Sequence, residues 1–346
     1  EPMYGTNVTD WNNDGWQDII TSGYCRSGGS LFKNNGNGTF TDASNSANYS
    51  GQHMGGDHDQ PLCQWEANPG DFDNDGDMDL LQVSVHGGYN VGEGRTTIAV
   101  NQGADDNYRY EWNLDLLQRD ADSSFTHVGD MGGAWIDINY DGFLDVVIGQ
   151  LGYEQGGVNT SGQTRLYVML QNEDGYFDDI TKDLGLFDSM RRVHSLEPID
   201  YDLDGDLDLI FTRQVKIDGA DAMQMTLLRN DFAGSFNWTA VKLDAPEDAN
   251  RSAIGARIYF HSGDMMQMRD IQAGAGHFAG QSQFIINAGI ENRNRIDSII
   301  VRWPNADLDE TKIYNPTLNI VNTINAEGDV APLVPNNESQ PLIAFN

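Results

Sequence analysis

Four copies of one acidic loop constrain this chain more than any other feature. Each copy places oxygen-bearing side chains at loop positions 1, 3, 5 and 9, a glycine at position 6, and an apolar run directly after position 9. Alternate side chains of such a tight loop point inward, and glycine takes a backbone turn that other residues resist. We number the copies loops 1 to 4; they begin at Asp10, Asp71, Asp137 and Asp200.

The loops offer hard oxygen ligands, which suit Ca²⁺ because this ion accepts about six to eight oxygens in flexible geometry. The alternative is a set of solvated acidic turns, but without a cation their carboxylates would repel one another strongly. We therefore expect about four Ca²⁺ sites, with side-chain ligands at positions 1, 3, 5 and 9 and the backbone carbonyl of position 7. The predicted ligands are Asp10, Asn12, Asp14, Trp16, Asp18, Asp71, Asp73, Asp75, Asp77, Asp79, Asp137, Asn139, Asp141, Phe143, Asp145, Asp200, Asp202, Asp204, Asp206 and Asp208.

The spacing of the loops predicts a repeat architecture. Their first residues are 61, 66 and 63 positions apart, and the flanking residues alternate like strands. Phe211 at position 12 of loop 4 excludes an EF-hand, which needs a bidentate Glu there. Each repeat reads as four antiparallel strands, with the loop between strands one and two and an aromatic residue such as Phe40 or Phe177 in strand four. In this topology all four loops share one face.

The pattern D-x-[DN]-x-D-G-x-x-D before a buried strand resembles FG-GAP/VCBS repeats, the calcium-binding β-propeller blades also found in integrin heads. The resemblance covers residues 1–245 and implies an all-β fold, a β-propeller of four-stranded blades. Residues 246–325 resemble the ASPIC/UnbV module that follows such repeats in the cartilage acidic protein family, through Asn250–Ile258, Gly274–Phe278 and Ile296–Pro304. Two segments depart from the family: Ile285–Gly289 replaces His-Phe-Gly-Leu-Gly, and Asn305-Ala306 replaces Ser-Gly.

The charge of the chain limits the classes of partner that it can bind. The formal net charge is −33, and four Ca²⁺ would leave about −25, which excludes nucleic acid and anionic membranes as obvious partners. The sequence has no run of eighteen apolar residues and so predicts no membrane span. Because the chain begins at Glu1 without Met, we interpret it as a processed or excised form. We expect an extracellular or cell-surface protein, with a periplasmic location as an alternative.

The face opposite the loops receives two further groups of residues. Cys25 and Cys63 both fall there and are predicted to form a disulfide outside the cell. The inter-repeat segments of that face also carry His53, His58 and His86, which could bind a transition metal. The alternative for these histidines is a solvated loop.

Trp65 and Trp135 stand before loops 2 and 3, where they could stack on a ligand but are expected to be core residues. The sequence contains no nucleophile elbow, phosphate loop or dinucleotide motif, so we expect no enzyme activity. The Pro-containing tail 326–346 shows no clear element, although its apolar end Leu342–Phe345 could add as a strand to a sheet edge of this chain or of a neighbouring copy.

The favoured interpretation is a non-enzymatic, calcium-stabilised binding or adhesion scaffold that presents the face opposite the loops to a protein or glycan. One alternative is a structural subunit of a surface assembly or filament, held together through the tail. Another is a glycan-active enzyme on a propeller scaffold, since propellers support all three functions.

Overall fold

The computed structural model describes residues 3–23, 28–49, 64–85, 96–119, 129–151, 154–155, 158–159, 164–187, 190, 192–231, 236–274, 280 and 282–333. These residues form 26 strands and one short 3-10 helix, Ala104–Asp106. The prediction of an all-β fold is confirmed. No helix in the described part of the chain has the length and apolar character needed to cross a membrane.

The first two repeats each form a four-stranded antiparallel sheet in chain order. Sheet 1 contains β1 (Met3–Thr9), β2 (Asp18–Gly23), β3 (Ser30–Asn34) and β4 (Phe40–Asp42). Sheet 2 contains β5 (Gln64–Gly70), β6 (Asp79–Ser84), β7 (Thr97–Asn101) and β8 (Tyr110–Asn113). Burial alternates along β1, whereas all of β6 is buried, because sheet 2 is covered on both faces by its neighbours.

The third repeat forms sheet 3, with β10 (Asp130–Ile136), β11 (Asp145–Gln150), β14 (Leu166–Gln171) and β15 (Phe177–Asp179). A short strand from the preceding segment, β9 (Leu117–Gln118), pairs parallel with β15. The two-residue strands β12 (Glu154–Gln155) and β13 (Val158–Asn159) pair with each other.

The fourth repeat differs from the prediction of four strands. Sheet 4 has three strands among the described residues: β16 (Val193–Ile199), β17 (Asp208–Ile217) and β18 (Ala220–Leu228). The next strand, β19 (Trp238–Asp244), instead pairs with strands that follow residue 246. The reason is packing, because Trp238 and Ala240 are buried in a cluster with Val321 of the C-terminal region.

Sheets 1 to 4 stack in chain order. Separate apolar clusters fill the spaces between sheets 1 and 2, 2 and 3, and 3 and 4. The first strands of the sheets also contact one another through side-chain amides. Asn7 donates to the carbonyl of Ala67 at 2.5 Å, and Asn68 donates to the carbonyl of Gly133 at 2.7 Å. The first strands of sheets 1 and 2, and those of sheets 2 and 3, therefore lie next to each other.

The C-terminal region, which we call the module, consists of two four-stranded sheets that enclose one apolar core. One sheet has the order β22 (Ile285–Gly289), β19, β25 (Val321–Asn325) and β26 (Val330–Pro332). The other has the order β21 (Met265–Asp270), β20 (Arg257–Ser262), β23 (Ser298–Arg302) and β24 (Glu310–Tyr314).

The prediction for the C-terminal tail is corrected in part. Residues 326–346 showed no clear element in the sequence, yet β26 within them pairs antiparallel with β25, with Ile324 opposite Val330. A turn at Gly328, whose φ is +87°, reverses the chain between these strands. The predicted strand Leu342–Phe345 lies outside the described residues.

Candidate metal centres

Each acidic loop joins the first and second strand of one sheet, as the sequence predicts. All four loops have a positive φ at positions 4 and 6. The φ values at position 4 are between 57° and 61°, at Asn13, Asn74, Tyr140 and Leu203. Those at position 6 are between 89° and 103°, at Gly15, Gly76, Gly142 and Gly205. Residues with a Cβ rarely take the second of these conformations, which explains the glycine in every copy.

The same internal hydrogen bonds recur in every loop. The backbone N–H of position 7 donates to the carboxylate of position 5 at 2.8–3.0 Å, for example from Phe143 to Asp141. The position-9 carboxylate accepts from the backbone N–H of position 2 at 2.9–3.4 Å and from an N–H next to the third strand at 2.7–2.8 Å. As a ligand, position 9 would use its remaining lone pairs.

In all four loops the side chain at position 1 has at least one carboxylate oxygen that accepts no hydrogen bond. Buried carboxylate oxygens without a hydrogen-bond partner occur at Asp10, Asp71, Asp137 and Asp200, and both oxygens of Asp71 are in this state. The amide oxygen of Asn12, at position 3 of loop 1, is also buried without a partner. A buried, unpaired oxygen is costly unless something binds it. These atoms fit a cation at the centre of each loop.

The protonation behaviour of the loops also favours a cation. Burial raises the pKa of Asp71 to about 8, of Asp137 to about 7 and of Asp200 to about 6, and neighbouring loop carboxylates add to each shift. Burial likewise raises the pKa values of Asp79 and Asp145 well above the usual range. A bound cation would reverse this effect, because its charge favours the ionised carboxylates.

The spacing of the ligand atoms suits one ion in loop 2 and one in loop 4. Oxygens of Asp71, Asp73 and Asp79 lie within 4.8 Å of one another, as do those of Asp202, Asp208 and the position-1 residue of loop 4. Carboxylate and amide oxygens at this density suit Ca²⁺, which would neutralise the loop and fix its ligands. When bound, such an ion supplies binding energy that becomes folding energy.

The loops lie side by side, as the topology predicts. Asn13 of loop 1 donates to the carbonyl of Gly76 in loop 2 at 3.0 Å. Asn74 of loop 2 donates to the carbonyl of Gly142 in loop 3 at 3.1 Å. The hydroxyl of Tyr140 in loop 3 donates to the carbonyl of Gly205 in loop 4.

The module covers this loop face. A Cβ placed on Gly15, Gly76, Gly142 or Gly205 would meet a module side chain: Leu308, Met266, Met265 together with Gln267, and Trp238, respectively. The tight approach at each glycine means that loop and module surfaces are fitted to each other. The sequence did not predict this contact.

Two buried arginines of the module reach the loops. Arg257 lies 3.5 Å from the carboxylate of Asp10, donates to the backbone carbonyl of that residue at 3.0 Å and pairs with Asp270 at 2.8 Å. Arg269 donates to the carbonyl of Gly142 at 3.2 Å. Ile258 and Phe260 of β20 belong to the core of the module, so Arg257 lies on the other face of this strand. The loops as its partners could not be found from local pattern.

The segment Ile285–Gly289, where the chain departs from the family pattern, also contacts the loops. Asn287 donates to the carbonyl of Gly205 at 3.1 Å and lies 3.4 Å from the carboxylate of Asp200. The backbone N–H of Gly289 donates to Asp137 at 3.2 Å. Asn287, which replaces a glycine of the family pattern, therefore serves as a loop contact in this chain.

The two tryptophans before the loops are packed residues. Trp135 stacks on Phe72, with ring centroids 5.9 Å apart and planes 8° apart, and its indole N–H donates to the carbonyl of Asn68 at 2.9 Å. Trp65 packs against Tyr4 at 4.6 Å and against an apolar cluster that includes Met131. Both side chains are half-buried and pack against core clusters, and Trp135 also lines a cavity.

A cavity of about 170 Å³ lies between the ends of β5, β10 and β16 and the module. Glu197 lines it, and burial raises the pKa of this carboxyl to about 7 against a smaller opposing effect of the Gly280 N–H. Asp270 also lines the cavity but is paired with Arg257 at 2.8 Å. Asp137, the first residue of loop 3, is the third carboxyl group of the lining.

The remaining predicted site residues lie outside the described part of the chain. They are Cys25, Cys63, His53, His58 and His86, so the disulfide and the second metal site stay predictions.

Comparison with known proteins identifies both parts of the chain. Residues 10–82 and 137–211 match the FG-GAP-like repeat family, and residues 246–330 match the ASPIC and UnbV family. No curated protein matches the chain.

Among solved structures, one titled as the structural basis of specific recognition of non-reducing terminal N-acetylglucosamine by an Agrocybe aegerita lectin is 16% identical, with a TM-score of 0.38. The similarity covers 89% of this chain and 65% of that chain, so the chain spans less than two thirds of that structure's length. A TM-score of this size does not establish a shared fold. On the two family matches, the chain is an FG-GAP-repeat protein with a C-terminal ASPIC and UnbV domain.

Proposed function

We propose that this protein is an extracellular, calcium-stabilised and non-enzymatic binding or adhesion scaffold. The observation that carries the calcium assignment is the unpaired, buried oxygen at position 1 of every loop. Each ion would fix the corner between the first two strands of a sheet and so stabilise the fold. The unneutralised loops would oppose folding, since burial and mutual repulsion raise the pKa values of their carboxyl groups.

We also propose that sheets 1 to 4 are blades of a β-propeller. Their stacking in chain order supports this arrangement, as do the amide contacts between consecutive first strands. Blades of a propeller are placed radially with their first strands innermost. The predicted disulfide between Cys25 and Cys63 would join the first two blades.

The ligand-binding surface is proposed to be the face opposite the loops. The module covers the loop face at the glycine of each loop, so a ligand of the repeats would approach from the opposite face. The ligand class is a protein or a glycan, because the net charge of −33 disfavours nucleic acid and anionic membranes.

A binding screen with a matched pair of variants tests this proposal. The calcium-loaded protein is applied to glycan and protein arrays, and each ligand found is retested with Tyr4→Ala and Tyr314→Ala. Tyr4 begins β1 at the end away from loop 1 and is 38% exposed, whereas Tyr314 lies on the module and is 67% exposed. We expect Tyr4→Ala to weaken binding and Tyr314→Ala to leave it unchanged. The reverse pattern, or turnover of an arrayed glycan, would contradict the proposal.

A further inference from the structure

The contacts between consecutive loops repeat in one direction along the chain. Position 4 of each of the first three loops donates to the glycine carbonyl at position 6 of the next loop: Asn13 to Gly76, Asn74 to Gly142, and Tyr140 to Gly205. Position 4 of loop 4 is Leu203, whose side chain has no polar atom to donate. The series therefore runs from loop 1 to loop 4 and ends there.

The accepting glycine carbonyl shares its peptide unit with the N–H of position 7. That N–H donates to the position-5 carboxylate, a predicted metal ligand. In loop 3 the carbonyl of Gly142 accepts from Asn74, and the N–H on the other side of the same peptide bond, that of Phe143, donates to Asp141 at 2.8 Å. The corresponding N–H groups of Asp77 and Asp206 donate to position 5 of loops 2 and 4 at 2.9 and 3.0 Å. Each position-4 donor thus fixes the peptide plane that orients the position-5 carboxylate of the next loop.

The module adds one donor at each junction. Arg257 donates to the amide oxygen of Asn13, whose own amide donates to Gly76. Arg269 donates to the carbonyl of Gly142 at 3.2 Å, beside the bond from Asn74. Asn287 donates to the carbonyl of Gly205 at 3.1 Å, beside the hydroxyl of Tyr140. All three junctions are therefore held from two sides.

We propose that Asn13, Asn74 and Tyr140 are positioning residues through which each loop orders the ligands of the next, so that the four loops bind calcium cooperatively under the module. This inference rests on the proposed calcium binding. A metal ion in one loop fixes positions 3 and 5 and hence the donor at position 4 between them. The next loop then binds with less ordering to complete, which is positive cooperativity. Hydrogen-bonded networks of this kind also strengthen their members mutually.

The test is a calcium titration of the chelated full chain by calorimetry, with three variants. Tyr140→Phe removes only the hydroxyl donor to loop 4. Asn74→Gly removes the donor between loops 2 and 3, and glycine keeps the positive φ of that position without strain. Leu203→Gly is the matched control, since it changes position 4 of the loop that donates to no further loop.

We expect the parent chain and Leu203→Gly to titrate more steeply than four independent sites with the same intrinsic affinities would. Tyr140→Phe and Asn74→Gly should bind the same number of ions with a lower Hill coefficient, and about fivefold more weakly at the loops after the broken link. Equal Hill coefficients in all four proteins, with calcium still bound, would overturn the proposed coupling between loops. The calcium sites themselves would stand. No calcium uptake by the parent chain would instead refute the proposed calcium-dependent function, and the coupling between loops with it.

Discussion

Loops 2 and 4 differ from loops 1 and 3 in charge but not in backbone. The first pair carries five carboxylates per loop and the second pair three, although all four share the same positive φ angles. The difference falls at positions 3 and 7. Loop 2 has Asp73 and Asp77 there, whereas loop 3 has Asn139 and Phe143.

Loop 1 also has basic neighbours that neutralise part of its charge. Lys33 lies 3.0 Å from Asp14, and Arg257 lies 3.5 Å from Asp10. The number of charged ligands tunes calcium affinity. We therefore expect one loop conformation to support two classes of site that differ in calcium affinity. Loops 2 and 4 should bind calcium tightly and depend on it, while loops 1 and 3 should bind it more weakly and tolerate its loss better.

The largest expected effect is that of calcium removal. A site saturated at a thousand times its Kd contributes about 4 kcal/mol to folding, and the two five-carboxylate loops should contribute most. We expect excess EDTA to lower the melting temperature by about 10 °C or more. Differential scanning calorimetry with and without calcium measures this, and magnesium addition is the control. An unchanged melting curve in EDTA would remove the structural role of the loops.

The next effect is a pH dependence of stability that is much larger without calcium. In the metal-free fold the pKa values of Asp71, Asp137 and Asp73 are raised to about 8, 7 and 6, mainly by burial. Groups with a raised pKa in the folded state stabilise it at low pH, and this contribution is lost as pH rises through those values.

In EDTA, therefore, the free energy of unfolding should fall by a few kcal/mol between pH 6 and pH 8. Asp71→Asn should flatten that slope, since it removes the group with the highest of these three values. In saturating calcium the slope should shrink to the part that Glu197 contributes, because the ion holds the loop carboxylates ionised. Equal slopes of unfolding free energy against pH in EDTA and in calcium would show that these groups do not bind the metal. Urea unfolding at each pH makes the measurement.

A reciprocal exchange at position 3 tests the comparison itself. Asp73→Asn gives loop 2 the amide of loop 3, and Asn139→Asp does the opposite. We expect the first to weaken calcium binding at its loop by about tenfold and the second to strengthen it similarly, because one charge near the ion is changed. Calorimetric titration resolves both variants. Changes of the same sign would contradict the charge-count explanation.

The smallest expected effect concerns Lys33 beside loop 1. Lys33→Met removes a cation 3.0 Å from Asp14, and both side chains are partly exposed, so solvent screens the interaction. Calcium affinity at loop 1 should rise by about twofold. Lys216→Met, which removes a lysine paired with Asp221 in sheet 4, is the control and should change nothing. A loss of affinity in Lys33→Met would mean that the lysine supports the site.

The sequence predicted whatever depends on local pattern. The positions of the loops, the strands on either side of them and the all-β class follow from alternating carboxylates, one glycine and an apolar run. These features act within about nine residues, so no distant partner is needed to specify them.

The sequence did not predict features that depend on distant partners. The strand β19 alternates like a fourth strand of sheet 4, but Trp238 and Ala240 find a better-packed partner in Val321. Likewise, Arg257 shows no local sign that it reaches Asp10. The cover of the module over loops 1 to 3 arises from surfaces more than a hundred residues apart, and periodicity carries no information about such contacts.

The most direct test of the central claim is a count of bound calcium in the parent chain and in the double variant Asp71→Asn, Asp200→Asn. Equilibrium dialysis against a series of free calcium concentrations, followed by elemental analysis, gives the count. The structure predicts about four ions in the parent chain, in a tighter and a weaker pair, and loss of the tighter pair in the double variant. A folded parent chain that binds no calcium, or a double variant that keeps the tighter pair, would contradict the account.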